Sequence, residues 1–446
     1  MSPVPGDVLL GADLGTSGLK LVALADDGTV VAGTEAGYAV DRPEPDRAEI
    51  DVATWRRAFD DALAELVPAL GGARVLALGL SGQMHGVVLV DDAGAALRPA
   101  LLWPDHRATE ELAAWRSLPA AARAALANPL VPGMTGPLLA WLARHETDAV
   151  DRAAGVLLPK DAFRATLLAD PAPLVTDRSD ASATLLWDVV ADDWSAAAVG
   201  AAGVSRGLLP SVRPSAEVVG TALLPVGEVP VVVGGADTPL ALVATGTTAG
   251  VQVNLGTGAQ LLRPGWEPRP VEHPVVHGYA DVSGGWYAMA ALQNGGSAWS
   301  WVSGVLGMTE TELFAAAAAA PPGAGGVAFR PFLTGERGGV AQPADRGSWT
   351  GLHAATTRDD LARAALEGVG FAIAAAFELL GGSGAEEPVV LTGGGARPAV
   401  VQQLLADVLG RPVRHLPLRS ASAVGAALLA GQGVGRDVVP QRPAGQ

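Results

Sequence analysis

The chain contains no cysteine, which excludes disulfides, thiolate metal sites and cysteine nucleophiles and fits a reducing compartment. Lysine is nearly absent as well: Lys20 and Lys160 are the only two, and arginine supplies the rest of the 30 basic residues. Against 46 acidic residues this leaves a formal charge of −16. Broad binding to nucleic acid or to an anionic membrane is therefore not expected, because both need a basic surface that displaces counterions. An anionic ligand would have to meet a local positive field. The opening stretch MSPVPGDVLLGADLG lacks a basic segment followed by a long apolar one, so no secretory signal is read and a cytoplasmic location is expected. Unbroken apolar runs are missing too. The uncharged stretches 238–262 and 282–309 are long enough to raise the question of a membrane span, but Gly, Thr, Ser, Asn and Gln interrupt both. Buried strands and ligand loops are the reading for them.

What is present is an ordinary globular composition, 49% hydrophobic and 17% charged over 446 residues. A single core stops growing at roughly 250–300 residues, so two or three lobes are expected. The stretch GADLGTSGLKLVALADDGTVVA, 11–32, reads as strand, Gly-Thr-Ser turn, strand, Asp27-Gly28 hairpin and strand. A helix is expected over 52–70, closed by Gly71-Gly72, followed by the buried strand RVLALGLSG. A further hairpin is expected around 92–94, and helices over 110–126 and 138–145. The strand VPVVVGGAD leads into a second Gly-rich turn. Then the first motif returns in weaker form as VNLGTGAQLL, 253–262, with Asn254 where the first copy has Asp13. Helices over 296–306 and 359–380 follow, then strand, Gly turn and helix in EPVVLTGGGARPAVVQQLLADVLG, and one more strand and helix. Each half thus opens on a Leu-Gly-Thr hairpin and continues as alternating strands and helices, an α/β pattern. The division is placed near Gly246, giving lobes 1–246 and 247–446 with a cleft between them.

Backbone N–H groups of tight turns hold phosphate where glycine permits close approach. Gly15, Thr16, Ser17 and Gly18 offer such a turn, with Lys20 adding charge, and Gly256, Thr257 and Gly258 offer its copy. Either turn alone is as readily a hairpin that needs glycine for geometry; the pair carries the signal. Gly393, Gly394 and Gly395 form a third turn suited to a nucleotide base or ribose. Asp13 is a candidate for magnesium, which keeps most of its waters and is commonly held by one or two carboxylates with substrate phosphates.

In their order along the chain, GADLGTSGLK, LGLSGQMHG, LLWPDHR, VLLPKD, TDRSDASATLLWDV, VVVGGAD, FLTGER, ALEGVGFAIA and LTGGGAR resemble the FGGY carbohydrate kinases. SGQMHG makes the likeness strongest to the xylulokinase branch. The resemblance implies an α/β fold of two lobes, the actin-like, hexokinase-like (ribonuclease H-like) ATPase architecture with a duplicated core and an interlobe cleft. It implies transfer of the γ-phosphoryl group of ATP, with Mg2+, to the terminal hydroxyl of D-xylulose. It assigns Asp237 as catalytic base, Met84, His85 and Asp105 to the sugar, and Asp13 to the metal. Gly15, Thr16, Ser17, Lys20, Gly256, Thr257, Gly258, Gly296, Gly394 and Gly395 fall to ATP. Asp237 would otherwise cap its helix, and Arg107 would pair with Asp105. Glu336 and Arg337 of FLTGER would serve either the site or a structural ion pair. The partners implied are a small sugar and ATP, and a homodimer is the assembly considered.

Three motifs depart from the branch, and in one of them, TGERGG, the usual Thr-Pro after the arginine is lacking. Thr238 follows the GGAD aspartate where an asparagine is usual, and Trp103-Pro104-Asp105-His106-Arg107 replaces Trp-Asn-Asp-Gly-Arg. D-ribulose, L-xylulose or another ketose or polyol is therefore the alternative substrate. A non-catalytic sugar- or nucleotide-binding protein of the same fold is the alternative class.

Overall fold

The computed structural model describes residues 6–336, 339–382 and 387–440. β1 (Asp7–Leu14) passes through the Gly-Thr-Ser turn and returns antiparallel as β2 (Gly18–Ala25), and Asp27-Gly28 turns the chain into β3 (Val30–Gly37). Helix α1 (Val52–Leu66) buries Trp55, Phe59, Ala62, Leu63 and Leu66 at helical spacing, and Asp51 caps it by accepting from Ala53 N–H at 2.9 Å. The expected helix to residue 70 tightens instead into a 3-10 turn over Val67–Leu70, because Pro68 cannot donate to the ladder. β4 (Arg74–Gly82) then lies parallel to β1, an arrangement no tight hairpin can connect.

Beyond the short helix α2 (Pro159–Leu167), β5 (Val218–Leu224), β6 (Gly227–Val232) and β7 (Gly235–Ala236) complete this sheet. Its order is β5-β6-β4-β1-β2-β3, and β7 pairs with the end of β4. Helix α3 (Asp237–Thr245) leads out of it.

The second sheet repeats the plan. β8 (Gln252–Leu255) and β9 (Ala259–Pro264) form the second Leu-Gly-Thr hairpin, β10 (His277–Ala280) and β11 (Trp286–Leu292) extend it, and α4 (Gly296–Leu306) and α5 (Arg358–Leu379) follow. β12 (Val389–Thr392) lies parallel to β8 as β4 does to β1, and after α6 (Ala399–Leu409) comes β13 (Val413–His415). The order is β10-β11-β9-β8-β12-β13. The uncharged stretches resolve into α3 with β8 and β9, and into β11 with α4. Among the described residues no helix is long and apolar enough to cross a membrane.

The hairpin expected around 92–94 forms, with Val90 bridged to Ala96 and N–H bonds from Asp91 to Ala95 O and from Leu97 to Leu89 O, and Val88–Val90 also pairs with Gly155–Leu157. Two local expectations change. The helix expected over 110–126 divides into Leu112–Arg116 and Ala120–Ala124, since Pro119 pushes Leu118 out of helical conformation. The last helix, α7 (Ala421–Gly433), was expected with the second lobe but packs on the first. It joins Leu9, Leu24, Ala77, Val232 and Leu240 in one buried cluster. Glycine makes that approach possible: a Cβ on Gly11 or Gly79 would fall 1.9 or 1.8 Å from Ala423 O or Ala426 O, and one on Gly425 would fall 1.9 Å from Leu240 O. Gly425→Ala is accordingly expected to cost about 1–3 kcal/mol by overpacking, read as a lowered melting temperature.

The β10–β11 hairpin in turn docks against the first lobe. Asn128 exchanges hydrogen bonds with both backbone groups of Gly278, at 3.1 and 3.2 Å. Ser182 Oγ accepts from Ala280 N–H at 2.9 Å, and the Arg178 guanidinium lies over the Trp286 ring at 4.4 Å.

Candidate active site

The C-terminal ends of three parallel strands bring two carboxylates together. β1 places Asp13 opposite Ser81 of β4, and β4 in turn places Ser81 and Gly82 opposite Gly235 and Ala236 of β7, one residue before Asp237. Ser81 Oγ donates to Asp13 Oδ1 at 2.7 Å. Lys20 stands directly across the hairpin from Asp13. Burial raises the Asp13 pKa, while the Ser81 hydrogen bond and the Lys20 charge oppose that rise.

Asp237 opens α3, but it is not the cap: Ala236 holds the cap position, with no side-chain hydrogen bond there. The Asp237 carboxylate instead accepts from Thr238 Oγ at 3.0 Å. Burial first, and the negative charge of Asp13 second, push its pKa up to about 7. The amino end of α3 favours the anion, and burial outweighs it. A carboxyl group balanced near neutrality can take a proton and release it.

Asp237 and Thr238 line a cavity of about 180 Å³ between the lobes, whereas Asp13, Ser81 and Lys20 are not part of its lining. The first lobe lines it with Gly15, Thr16, Gln83, Met84, His85, Trp103, Asp237 and Thr238, and the second with Gln260, His277, Met289 and Ala291. His85 sits at φ +68°, a left-handed conformation that histidine tolerates better than most residues. Its Nδ1 lies 2.5 Å from Ala183 O. A carbonyl only accepts, so Nδ1 carries the proton in this contact. Met84 Sδ receives the Tyr287 hydroxyl at 3.7 Å.

The cavity and the first turn share side chains. Gly15 O accepts from Gln83 Nε2 at 3.0 Å and from the Tyr38 hydroxyl at 2.6 Å, and Thr16 Oγ accepts from Trp103 Nε1 at 2.9 Å. Gly15 N–H closes its own turn on Gly18 O at 3.0 Å. This glycine shapes the turn rather than offering a donor. Ser17 is exposed at its tip.

The second turn is built the same way. Gly256 N–H bonds Gly258 O, while Gly295 and Ser297 N–H groups bond Thr257 O and Gly296 N–H bonds Gly256 O. The start of α4 is thereby locked onto the turn. Gly296, expected to offer its amide to ATP, has spent it on Gly256 and serves close packing, since a Cβ there would lie 2.7 Å from Gly256 O. Gly393, at φ +90°, rests its backbone against Leu255 O and Asn254 Oδ1, so the third turn adjoins the second. Gly394 faces open space, whereas Gly395 packs on Leu255. Buried Glu336 accepts from Gln293 N–H at 2.8 Å and from Asn294 Nδ2 at 2.9 Å, fastening the segment before α4. Arg337 lies outside the described residues.

Asp105 does not join the site. Fully buried, it accepts from Ala48 N–H at 2.7 Å and from Arg107 Nε and Nη2, each at 2.8 Å. Both oxygens are occupied in a structural ion pair, and Arg107 extends the pair to Glu49 at 2.6 Å. This tie shapes the loop that delivers Trp103 to the cavity.

The sequence matches the FGGY family of carbohydrate kinases along almost its whole length, the N-terminal domain over residues 8–244 and the C-terminal domain over 251–433. The chain belongs to this family. Among curated relatives of the kinase, the xylulose kinase of Escherichia coli K12 is 35% identical over 94% of this chain and 88% of its own. That of Bacillus subtilis is 30% identical over 96% and 88%. The crystal structure of a xyloylose kinase from Brucella ovis superposes with a TM-score of 0.89 at 32% identity, covering 98% of this chain and 94% of that one. The two-lobed α/β architecture is that of the actin-like ATPases to which these sugar kinases belong.

Within this kinase, Met84, His85, Gly15, Thr16 and Asp237 meet at one cavity as a set. Motif reading passed over Gln83 and Trp103, although both lie inside the motifs singled out. Gln260 was within reach of it as the outgoing strand of the copied hairpin. His277 had no local signal at all: it reaches the cavity only because β10 docks against Asn128.

Proposed function

We propose that this kinase transfers the γ-phosphoryl group of ATP to the terminal hydroxyl of D-xylulose, yielding D-xylulose 5-phosphate and ADP, with Asp237 as general base. The observation that carries the reading is the interlobe cavity in which Asp237, poised near neutrality, and His85 stand beside the Gly15-Thr16 turn. The names of the relatives point to xylulose, and the modest cavity suits a small polar substrate rather than a drug-sized one.

The hydroxyl oxygen bonds to the γ-phosphorus as the bond from that phosphorus to the β,γ-bridging oxygen breaks. Asp237 accepts the hydroxyl proton. Transfer of this kind has a loose transition state, so positioning and charge stabilisation supply most of the catalysis. His85 hydrogen-bonds a sugar hydroxyl through its imidazole and Met84 packs on sugar carbon. Thr16, Ser17 and Lys20 meet the phosphates from the first lobe, and Thr257, Gly258 and Gly394 meet the nucleotide from the second. Among the described residues no cluster of three His, Cys, Asp or Glu side chains is arranged as a metal cage. Asp13, with Asp237 beside it, is a donor set that fits magnesium shared with ATP phosphates. When bound, that ion neutralises charge on the phosphate oxygens. Closure of the lobes excludes water as the competing nucleophile.

The test is Mg-ATP-dependent ADP release with D-xylulose, D-ribulose, L-xylulose and no sugar. Turnover is expected to be fastest with D-xylulose and low in the blank. Preference for another pentulose would keep the chemistry and assign the altered specificity to Thr238 and the Trp103 loop. Silence across the panel would overturn the proposal.

A further inference from the structure

Two motifs, VLLPKD and TDRSD, have no part in the chemistry above, yet they hold the most heavily charged part of the interior. Lys160, Asp161, Asp177 and Asp180 are fully buried and Arg164 is 1% exposed. Lys160 Nζ lies 2.6 Å from Asp161 Oδ1, 3.3 Å from Asp180 Oδ2 and 3.5 Å from Asp177 Oδ1. Arg164 Nη1 lies 2.7 Å from Asp161 Oδ1. Two cations thus face three carboxylates. Burial drives the Asp180 pKa well above the usual carboxylate range, and the Lys160 charge opposes that rise. Gly82 makes the room, since a Cβ on it would lie 2.7 Å from Lys160 Cβ.

Such a cluster is costly to bury and is weak as a source of stability. What it does hold is the segment leading to Asp237. Lys160 Nζ and Arg164 Nη1 both donate to Val233 O, at 3.2 and 2.6 Å. At the other end of the segment, Ser179 Oγ accepts from Ala236 N–H at 2.9 Å and donates to Asp177 Oδ2 at 2.5 Å. Between these anchors the strand breaks at Gly234, whose φ of +85° and close approach to Leu80 O admit no side chain. Beyond the bend the backbone is tied by Gly234 N–H to Ser215 O at 2.9 Å and by the pairing of Gly235 and Ala236 with Ser81 and Gly82, and the Ser179 hydroxyl adds a side-chain anchor at the residue next to Asp237.

We infer that the buried Lys160–Asp177–Ser179 cluster is the positioning device for the Asp237 carboxylate, clamping Val233 O and Ala236 N so that α3 begins with that side chain at the cavity. Ser179 and Lys160 are positioning residues: they act through the backbone and touch no substrate. The inference rests on Asp237 as the base.

Lys160→Met would strip the cation from three buried carboxylates and is expected to unfold the protein. Ser179→Ala, a neutral change, carries the test, with Ser215→Ala as its control. Ser215 Oγ donates to the same Asp177 Oδ2 at 2.8 Å, but its side chain has no hydrogen bond to 233–237. In the full-length enzyme, Ser179→Ala is expected to lower kcat at least tenfold while KM for sugar and ATP stays within threefold. Ser215→Ala should leave kcat within threefold at a comparable loss of melting temperature. Equal kcat in the two variants, or a Ser179→Ala enzyme within threefold of wild type, would overturn the inference. Asp237→Asn in the same series separates the two ideas: an active Asp237→Asn enzyme rejects the base itself, whereas an inactive one beside matched serine variants rejects only the clamp.

Discussion

Asp237→Asn is expected to lower kcat about 10²–10⁴-fold, the usual contribution of a positioned general base, while leaving sugar and ATP binding largely intact. The amide keeps the shape and the Thr238 contact but cannot take the hydroxyl proton. The wild-type enzyme should show the same group in its pH profile. With the carboxyl pKa pushed up to about 7 by burial and by Asp13, kcat/KM is expected to fall about tenfold per pH unit below that point, as the free enzyme's base becomes protonated. Stability should run the other way. A carboxyl group whose pKa is raised on folding holds its proton longer in the folded state, so the protein loses stability as pH rises from about 4 through 7. Asp237→Asn removes that penalty, with an upper bound of about 4 kcal/mol. The variant's melting temperature should exceed that of wild type at pH 8 and converge with it near pH 4. A flat profile through pH 7, or a variant no more stable at pH 8, would contradict the titration assigned to Asp237.

Gly258→Val is the second large effect. A Cβ there would lie 2.3 Å from Leu292 O, and the Gly258 backbone already touches Gly295 so closely that a Cβ on the latter would fall 2.6 Å from Gly258 O. The side chain would separate the second turn from the start of α4 and spread the two glycine-rich turns of the second lobe. Nucleotide affinity, measured by calorimetric titration of ADP, is expected to drop at least tenfold. Sugar binding, followed through fluorescence of the cavity residue Trp103, should persist, because Trp103 is held by the first-lobe turn through Thr16. Loss of both together would mean that the turn supports the whole interlobe contact rather than the nucleotide.

The parts of this protein legible in its sequence are those encoded by near neighbours. Asp27-Gly28 announces a hairpin because the turn needs positive φ at glycine, and Trp55, Phe59 and Leu66 announce α1 because a helix brings those positions to one face. The Leu-Gly-Thr copies announced two equivalent sheets for the same reason: the hairpin and its turn are a single local unit. Pro68 ends one expected helix early and Pro119 divides another, by rules equally local. Asp105 takes the expected alternative, a pair with Arg107, but its second partner, Ala48 N–H, lies 57 positions earlier, where no spacing within WPDHR reveals it.

The sequence by itself determined the two-lobed α/β plan, the kinase family and the pair Asp13 and Asp237, since short motifs carry both the turn geometry and the chemistry at their ends. Only the tertiary structure decided that α7 returns to the first lobe, that His277 and Gln260 line the interlobe cavity, and that Lys160 and Ser179 hold the segment before Asp237. Those outcomes depend on backbone groups and side chains meeting across scores of residues, where glycines at positions 11, 79 and 425 permit contact and buried charges must find partners. Such meetings follow from the packing of the whole chain.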